Sequence, residues 1–192
     1  FFGIAITKAQ KVIFPRDFSP TEGLITPQEK PYRDEVCLNG YWELQCVPVP
    51  SSWKGGTGIA PELPAPQADK WETVKIKIPS AINVNDWGRG SNVGEGTRNP
   101  YTPSSVYYPS YPDNWKHTRM GWLRKNFRVP AGWNGKRLLL HFEAVAGDCV
   151  LLVNGKEVCH NFDSHLPFNA DISDYVNRDA DNELLVGVRH TK

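Results

Sequence analysis

Cys149, His160 and Asp163 put a thiol, an imidazole and a carboxylate within one short stretch of the chain. A cysteine beside a histidine is the minimal thiol-nucleophile set, because the imidazole can take the sulfur's proton. Their placement can be read from Asn154-Gly155, a two-residue hairpin signal between Val150-Leu151-Leu152-Val153 and Lys156-Glu157-Val158. That turn sets Val153 opposite Lys156, Leu151 opposite Val158 and Cys149 opposite His160. The same ribbon face carries Leu151, Val153 and Val158, so it is the face expected to meet a core. The expectation is therefore a buried cysteine beside a strand-end histidine rather than a catalytic dyad. Cys159 falls opposite Val150 on the other face, which makes a Cys149–Cys159 bond geometrically poor. With Cys37 and Cys46 there is no C-x-x-C spacing for zinc, and all four are expected as free, mostly buried thiols.

The elements that must position these groups are short strands. Tyr41-Trp42-Glu43-Leu44 reads as the first, after Leu38-Asn39-Gly40. From Trp71 to Ile78, Thr73, Lys75 and Lys77 alternate with Val74, Ile76 and Ile78, a half-buried strand closed by Pro79. Residues 122–129 and 138–145 follow, then the Asn-Gly hairpin, a short polar loop, and a last strand at Glu183-Leu184-Leu185-Val186-Gly187-Val188. Only Ile172–Val176 has any helical character. Ten of 16 prolines and seven of 16 glycines lie between Cys46 and Pro112, so the middle is loop-rich and the last third regular. Residues 83–120 form a long irregular excursion, a length more often functional than idle. Short strands separated by turn signals argue an all-β sandwich.

Composition narrows the partners. The 192 residues carry 22 Lys+Arg against 21 Asp+Glu, a formal charge of +1 that gives no field for nucleic acid or an anionic membrane. No run approaches the roughly 20 apolar residues a bilayer span needs. Seven Trp, seven Tyr and eight Phe exclude a disordered chain. The first residue is Phe and the last four directly follow a strand-like run, so the chain reads as part of a longer protein. Phe1-Phe2-Gly3-Ile4-Ala5-Ile6 before Thr7-Lys8-Ala9 is either the remnant of a secretory signal or an ordinary first strand. Residues 1–35 are a weakly patterned lead-in, and 36–192 form the sandwich domain.

Six pieces in fixed order carry a resemblance. They are Gly121-Trp122-Leu123-Arg124-Lys125-Asn126-Phe127-Arg128-Val129-Pro130, Trp133-Asn134-Gly135-Lys136-Arg137, Leu140-His141-Phe142-Glu143-Ala144-Val145, Val153-Asn154-Gly155-Lys156-Glu157-Val158, Asp163-Ser164-His165-Leu166-Pro167-Phe168 and Asp171-Ile172-Ser173. The set resembles the N-terminal sugar-binding domain of glycoside hydrolase family 2, the beta-galactosidases and beta-glucuronidases. Leu38-Asn39-Gly40-Tyr41-Trp42 resembles that family's opening strand.

The resemblance implies an all-β, jelly-roll β-sandwich of the galactose-binding-domain type. It also implies a parent enzyme with an immunoglobulin-like domain and then a (β/α)₈ barrel. There two glutamates, roughly 5 Å apart, perform retaining hydrolysis. Both downstream domains are absent from this chain, which alone should hydrolyse nothing. The implied partners are a carbohydrate substrate and the chain's own barrel, with an oligomer compatible. The implied location, from family habit, is periplasmic or secreted.

Asp163 is the leading site candidate by resemblance. In beta-galactosidases the Asp-Ser-x-Leu-Pro loop reaches the barrel, where its aspartate helps hold the sugar and a nearby cation. A carboxylate suits both tasks, because it accepts two hydroxyl hydrogen bonds and offsets positive charge. The rival reading is a loop aspartate closing a local turn. His165 occupies a slot where such loops carry a basic residue; it donates to sugar or barrel, or is simply solvated. The chain itself is expected to hold no cofactor, while the parent enzyme can use a monovalent or divalent cation. Tyr101, Tyr107, Tyr108, Tyr111 and Trp115 suit either stacking on sugar rings or pinning the long loop, with pinning expected for most. Asn92 and Asn99 lie where the family has a sugar-touching asparagine, but the spacing departs too far for either to be carried over. The rival classes are an independent carbohydrate-binding module and a purely structural β-sandwich.

Overall fold

Apolar residues on a pleated backbone give each strand one face to bury, and the central strands two; a computed structural model shows how those faces meet. It describes residues 25, 28–53, 61–82, 97–99, 102–103, 111–162 and 166–190. The strands are β1 (Gly40–Val47), β2 (Ile76–Ile78), β3 (Thr97–Asn99), β4 (Thr102–Pro103), β5 (Met120–Phe127), β6 (Leu139–Phe142), β7 (Asp148–Val153), β8 (Lys156–Asn161), β9 (Phe168–Asp171) and β10 (Asn182–Arg189). Among the described residues helical structure is confined to two 3-10 turns, Asp113–His117 and Ala131–Trp133. None is long and apolar enough to cross a membrane. A six-stranded sheet runs β2-β1-β5-β10-β7-β8, with β6-β9 and β3-β4 as separate two-stranded ribbons. Every paired neighbour is antiparallel. The fold is an all-β, jelly-roll β-sandwich, as the strand pattern and the resemblance both led one to expect.

The inner face of the large sheet presents Trp42, Leu44, Leu123, Leu151, Val153, Leu184 and Val186. Against it the β6-β9 ribbon and its flanks bury Leu138, Leu140, Ala170 and Ile172. Phe142 and Phe168 stack across the ribbon at 5.0 Å between ring centroids. Tyr111 and Trp115 also lie in this core, with centroids 5.0 Å apart. The Tyr111 hydroxyl accepts from the Lys77 amide at 2.9 Å, tying the end of the excursion to β2. For these two aromatics the pinning role holds; Tyr101, Tyr107 and Tyr108 lie outside the described residues.

The outer face works differently. Val47, Met120, Trp122 and Leu185 form a second cluster, covered by Leu63 and Trp71 from the segment 61–73. This segment has no ladder of its own; one backbone bond, from the Glu72 amide to the Leu44 carbonyl at 2.8 Å, joins it to β1, and side chains hold the rest. Gln45 donates to the Gln67 carbonyl at 2.6 Å and accepts from the Gln67 amide at 2.8 Å. The Trp122 indole donates to the Pro64 carbonyl at 2.8 Å, and the Arg124 guanidinium sits 4.1 Å from the Trp71 ring centroid.

Several sequence expectations change in the structure. The strand expected from Trp71 shrinks to Ile76–Ile78, because Trp71 turns away to pack on the outer face and Val74 is exposed. The stretch Phe168–Asp171, expected as loop, is the strand β9. Ile172–Val176 forms no helix; the Tyr175 amide closes a single turn onto the Ile172 carbonyl at 2.9 Å. All four thiols are free, but only Cys149 is fully buried.

Asn154 and Gly155 both adopt positive φ, 52° and 77°, as a type I′ hairpin turn demands. The Asn154 amide group also donates to Tyr175 O and Asn182 Oδ1, both at 2.8 Å, locking the hairpin onto the fully buried Asn182. The first pairs, Val153 with Lys156 and Leu152 with Glu157, follow the turn. A bulge between Leu151 and Leu152 then pairs Leu151 with Cys159, Val150 with His160 and Cys149 with Asn161. One extra residue in β8 reverses the facing of everything beyond it.

Candidate functional site

The bulge decides what the chemistry-bearing residues can do. Cys149 points inward with Leu151 and Val153, while His160 pairs with Val150 on the outer face. The expected juxtaposition of Cys149 with His160 does not exist, so no thiol–imidazole dyad forms. Burial, with smaller contributions from Cys159 and Asp148, pushes the Cys149 thiol up to about 11. A thiol held neutral there is no nucleophile at ordinary pH. Burial likewise pushes the Cys46 thiol up to about 11. The bulge also places Cys159 on the same face as Cys149, opposite to the expected side.

On the outer face, at the edge formed by β7 and β8, His160 finds a different partner. Its Nε2 lies 2.6 Å from Asp148 Oδ1. The other oxygen of Asp148 accepts from the Arg189 guanidinium. Arg189 in turn donates through Nη1 to the Pro61 carbonyl at 2.9 Å. The register explains the meeting: Arg189 of β10 lies directly opposite Asp148 of β7. Two residues beyond His160, Phe162 rests its ring on the imidazole, with centroids 4.4 Å apart and planes tilted by 35°. Phe162 is 71% exposed.

Phe162 and Leu166 bracket the β8–β9 connection, and Leu166 is also exposed. Asp163 and His165, the two residues expected to touch sugar, lie between them and outside the described residues. The side chains of Asn92 and Asn99 lie outside them too. Among the described residues no group of three or more His, Cys, Asp or Glu side chains could hold a metal ion. A cation site of the kind the resemblance implies would need Asp163 and ligands from elsewhere. On the sandwich's opposite flank, Asp171 accepts from Arg137 Nε at 2.6 Å and from the Ser173 hydroxyl at 2.7 Å. Ser173, through its hydroxyl and its amide, and then Arg137 bring the Asp171 carboxyl down to about 2.

Sequence reasoning missed the Asp148–His160–Arg189 cluster and the Phe162 ring it supports. Asp148 and Arg189 are far apart in the chain, and only strand register brings them together. Asp148 simply precedes Cys149, and Phe162 lies in the stretch that reads as a polar loop, so neither carries a signal of its own in the sequence.

Fold and site together define a jelly-roll domain with an Asp148–His160–Arg189 cluster at one sheet edge and two thiols, Cys46 and Cys149, that burial holds neutral. The family model described as "Glycosyl hydrolases family 2, sugar binding domain" matches residues 36–191, and the chain belongs to that family. The match agrees with the order of motifs from Leu38 to Val188. A beta-galactosidase of Thermoanaerobacter pseudethanolicus is 35% identical over 57 residues, covering 30% of this chain and 8% of the relative. A beta-glucuronidase of Paenibacillus borealis is 32% identical over 69 residues, covering 36% of this chain and 12% of the relative. The solved beta-glucuronidase of an uncultured Clostridium sp. superposes with a TM-score of 0.52 at 23% identity, over 79% of this chain and 21% of that one, and supports the fold. These matches span about an eighth or less of the curated relatives' length.

Proposed function

We propose that this chain is the N-terminal, non-catalytic domain of a beta-galactosidase-like glycosidase acting on O-glycosyl bonds. In this reading it buttresses a downstream barrel and closes one wall of the substrate pocket with the loop that carries Asp163 and His165. The observation that carries the proposal is the family match over 36–191 on a jelly roll whose β8–β9 connection begins and ends in exposed apolar side chains, Phe162 and Leu166. Exposed apolar groups at both ends of a polar loop suit a surface that another domain or a ligand covers. The Asp-Ser-x-Leu-Pro pattern at 163–167 favours a galactoside substrate. Asp163 would accept hydrogen bonds from sugar hydroxyls, and beside a cation its charge would be offset. The two glutamates that break the bond would come from the barrel, so the 192-residue chain alone would bind or support without hydrolysing.

The test is Asp163→Ala and Asp163→Asn in the full-length protein, assayed on aryl β-galactoside and aryl β-glucuronide. Loss of a charged hydrogen-bond partner should lower kcat/KM by about tenfold or more at an unchanged melting temperature. Unchanged kinetics on both substrates would remove Asp163 from the pocket.

A further inference from the structure

We infer that Phe162 and His160 form a saccharide-stacking platform on the outer edge of β8, a binding site for one hexopyranoside ring. The inference rests on the reading that this domain handles carbohydrate, and it assigns the contact to residues other than Asp163. An aromatic ring that is 71% exposed would ordinarily be free to rotate, yet this one is backed by the imidazole of His160 at 4.4 Å. The imidazole is itself fixed. Its Nε2 faces an Asp148 carboxylate, which can only accept, so Nε2 carries the hydrogen and donates at 2.6 Å. Asp148 is held from its other side by Arg189, and Arg189 by the Pro61 carbonyl. A chain of partners reaching into β7 and β10 thus ends on one exposed ring.

The chemistry of the assembly suits a sugar. A pyranose has an apolar C–H face that packs on an aromatic face, and hydroxyls around its rim. Holding Phe162 in advance removes part of the ordering cost that a free surface ring would pay on binding. Asp148 and Arg189 pair with each other behind the imidazole, so what the assembly presents at its tip is the apolar Phe162 ring. An exposed aromatic face meets the C–H face of a pyranose, whereas a phosphate or a carboxylate offers it no apolar face.

The experiment uses the 192-residue chain with methyl β-D-galactopyranoside and methyl β-D-glucuronopyranoside as probes, observed by saturation-transfer NMR on irradiating the aromatic protons. Transfer to the pyranose C–H protons is expected from the native chain. Phe162→Ala should weaken binding by about fivefold, comparable to losing one aromatic contact, and Phe162→Trp should restore it. Because the ring is exposed, both variants should keep the native melting temperature. His160→Ala, which removes the backing, should also weaken binding. No transfer from the native chain, or Phe162→Ala binding as well as native, would overturn the platform, and the exposed ring would then be a contact for another protein domain. The assay needs no hydrolysis, so its failure is separable from that of the pocket reading. A silent Asp163 with a Phe162-dependent sugar signal would sink the pocket alone, and the reverse pattern would sink the platform alone.

Discussion

The two faces of the six-stranded sheet are both buried, but by different means. The inner face is closed by regular structure: β6 and β9 bring Leu140 and Ala170 down on Leu44, Leu123, Leu151 and Leu184, and the contact is almost wholly apolar. The outer face is closed by the irregular, proline-containing segment 61–73, held by the Gln45 clamp, the Trp122 indole, the Arg124–Trp71 contact and the Arg189–Pro61 bond. Burying an apolar face needs no specific partner atoms, whereas holding an unladdered segment needs individually placed donors. The inner face should therefore govern global stability and the outer face local opening. The candidate platform belongs to the second regime, since Arg189 links it to Pro61 at the start of the covering segment.

The largest effect expected from breaking this contrast is at Leu184. It is fully buried on the inner face of β10, the strand between β5 and β7. Leu184→Ala should cost about 2–5 kcal/mol, the range for a leucine-sized cavity that cannot collapse. Urea denaturation should show it as a lower midpoint at an unchanged slope. A loss below about 1 kcal/mol would mean that the inner face is not the packed core described.

Gly187 tests the outer face. A Cβ there would stand 2.6 Å from Leu63 Cδ2 and 2.7 Å from the Trp122 ring, so Leu63 and the segment that carries it must move. Gly187→Ala should cost about 1–3 kcal/mol, as overpacking does. Its distinguishing sign is faster proteolysis within 61–73, because local opening rather than global unfolding is favoured. Cleavage at the native rate would show that the segment is held as firmly as the inner ribbon.

The same contrast explains what the sequence could disclose. The central strands were legible as short apolar runs, Leu184-Leu185-Val186 and Val150-Leu151-Leu152-Val153, because the sheet is covered on both faces there. The outer cover was not, since the contacts of Gln45 with Gln67 and of Trp122 with Pro64 obey no period. The β8 bulge did leave a trace, in that Val158 and Cys159 are adjacent apolar residues where alternation allows one; both pack against the inner core. Strict alternation from the Asn154-Gly155 turn skipped that irregularity and so set His160 on the wrong face. The order of motifs from Gly121 onward identified the family, because order survives where spacing between strands does not. The Asp148–His160–Arg189 cluster was illegible for the opposite reason: it exists only through the register of three strands.

The smallest expected effect lies at the rim of the inner cover and depends on pH. Asp171 ends β9, takes hydrogen bonds from Arg137 and Ser173, and titrates near pH 2 in place of the ordinary 3.8. The Ser173 hydroxyl that it holds also accepts from the Leu138 amide at 2.9 Å, so the carboxylate helps fix both strands of the ribbon. A lowered carboxyl pKa means that the unfolded chain binds the proton more readily than the folded one. The contribution is therefore complete above the unfolded value and is lost as pH falls from about 4 to about 2. Asp171→Asn should remove this acid-sensitive part: the variant should be slightly less stable than native at pH 7, and the gap should close by pH 2. Because the carboxylate is exposed, solvent screens the gain and the difference should be small beside that of Leu184→Ala. Parallel stability curves for the two proteins across that interval would show that the ribbon is held by its apolar face alone.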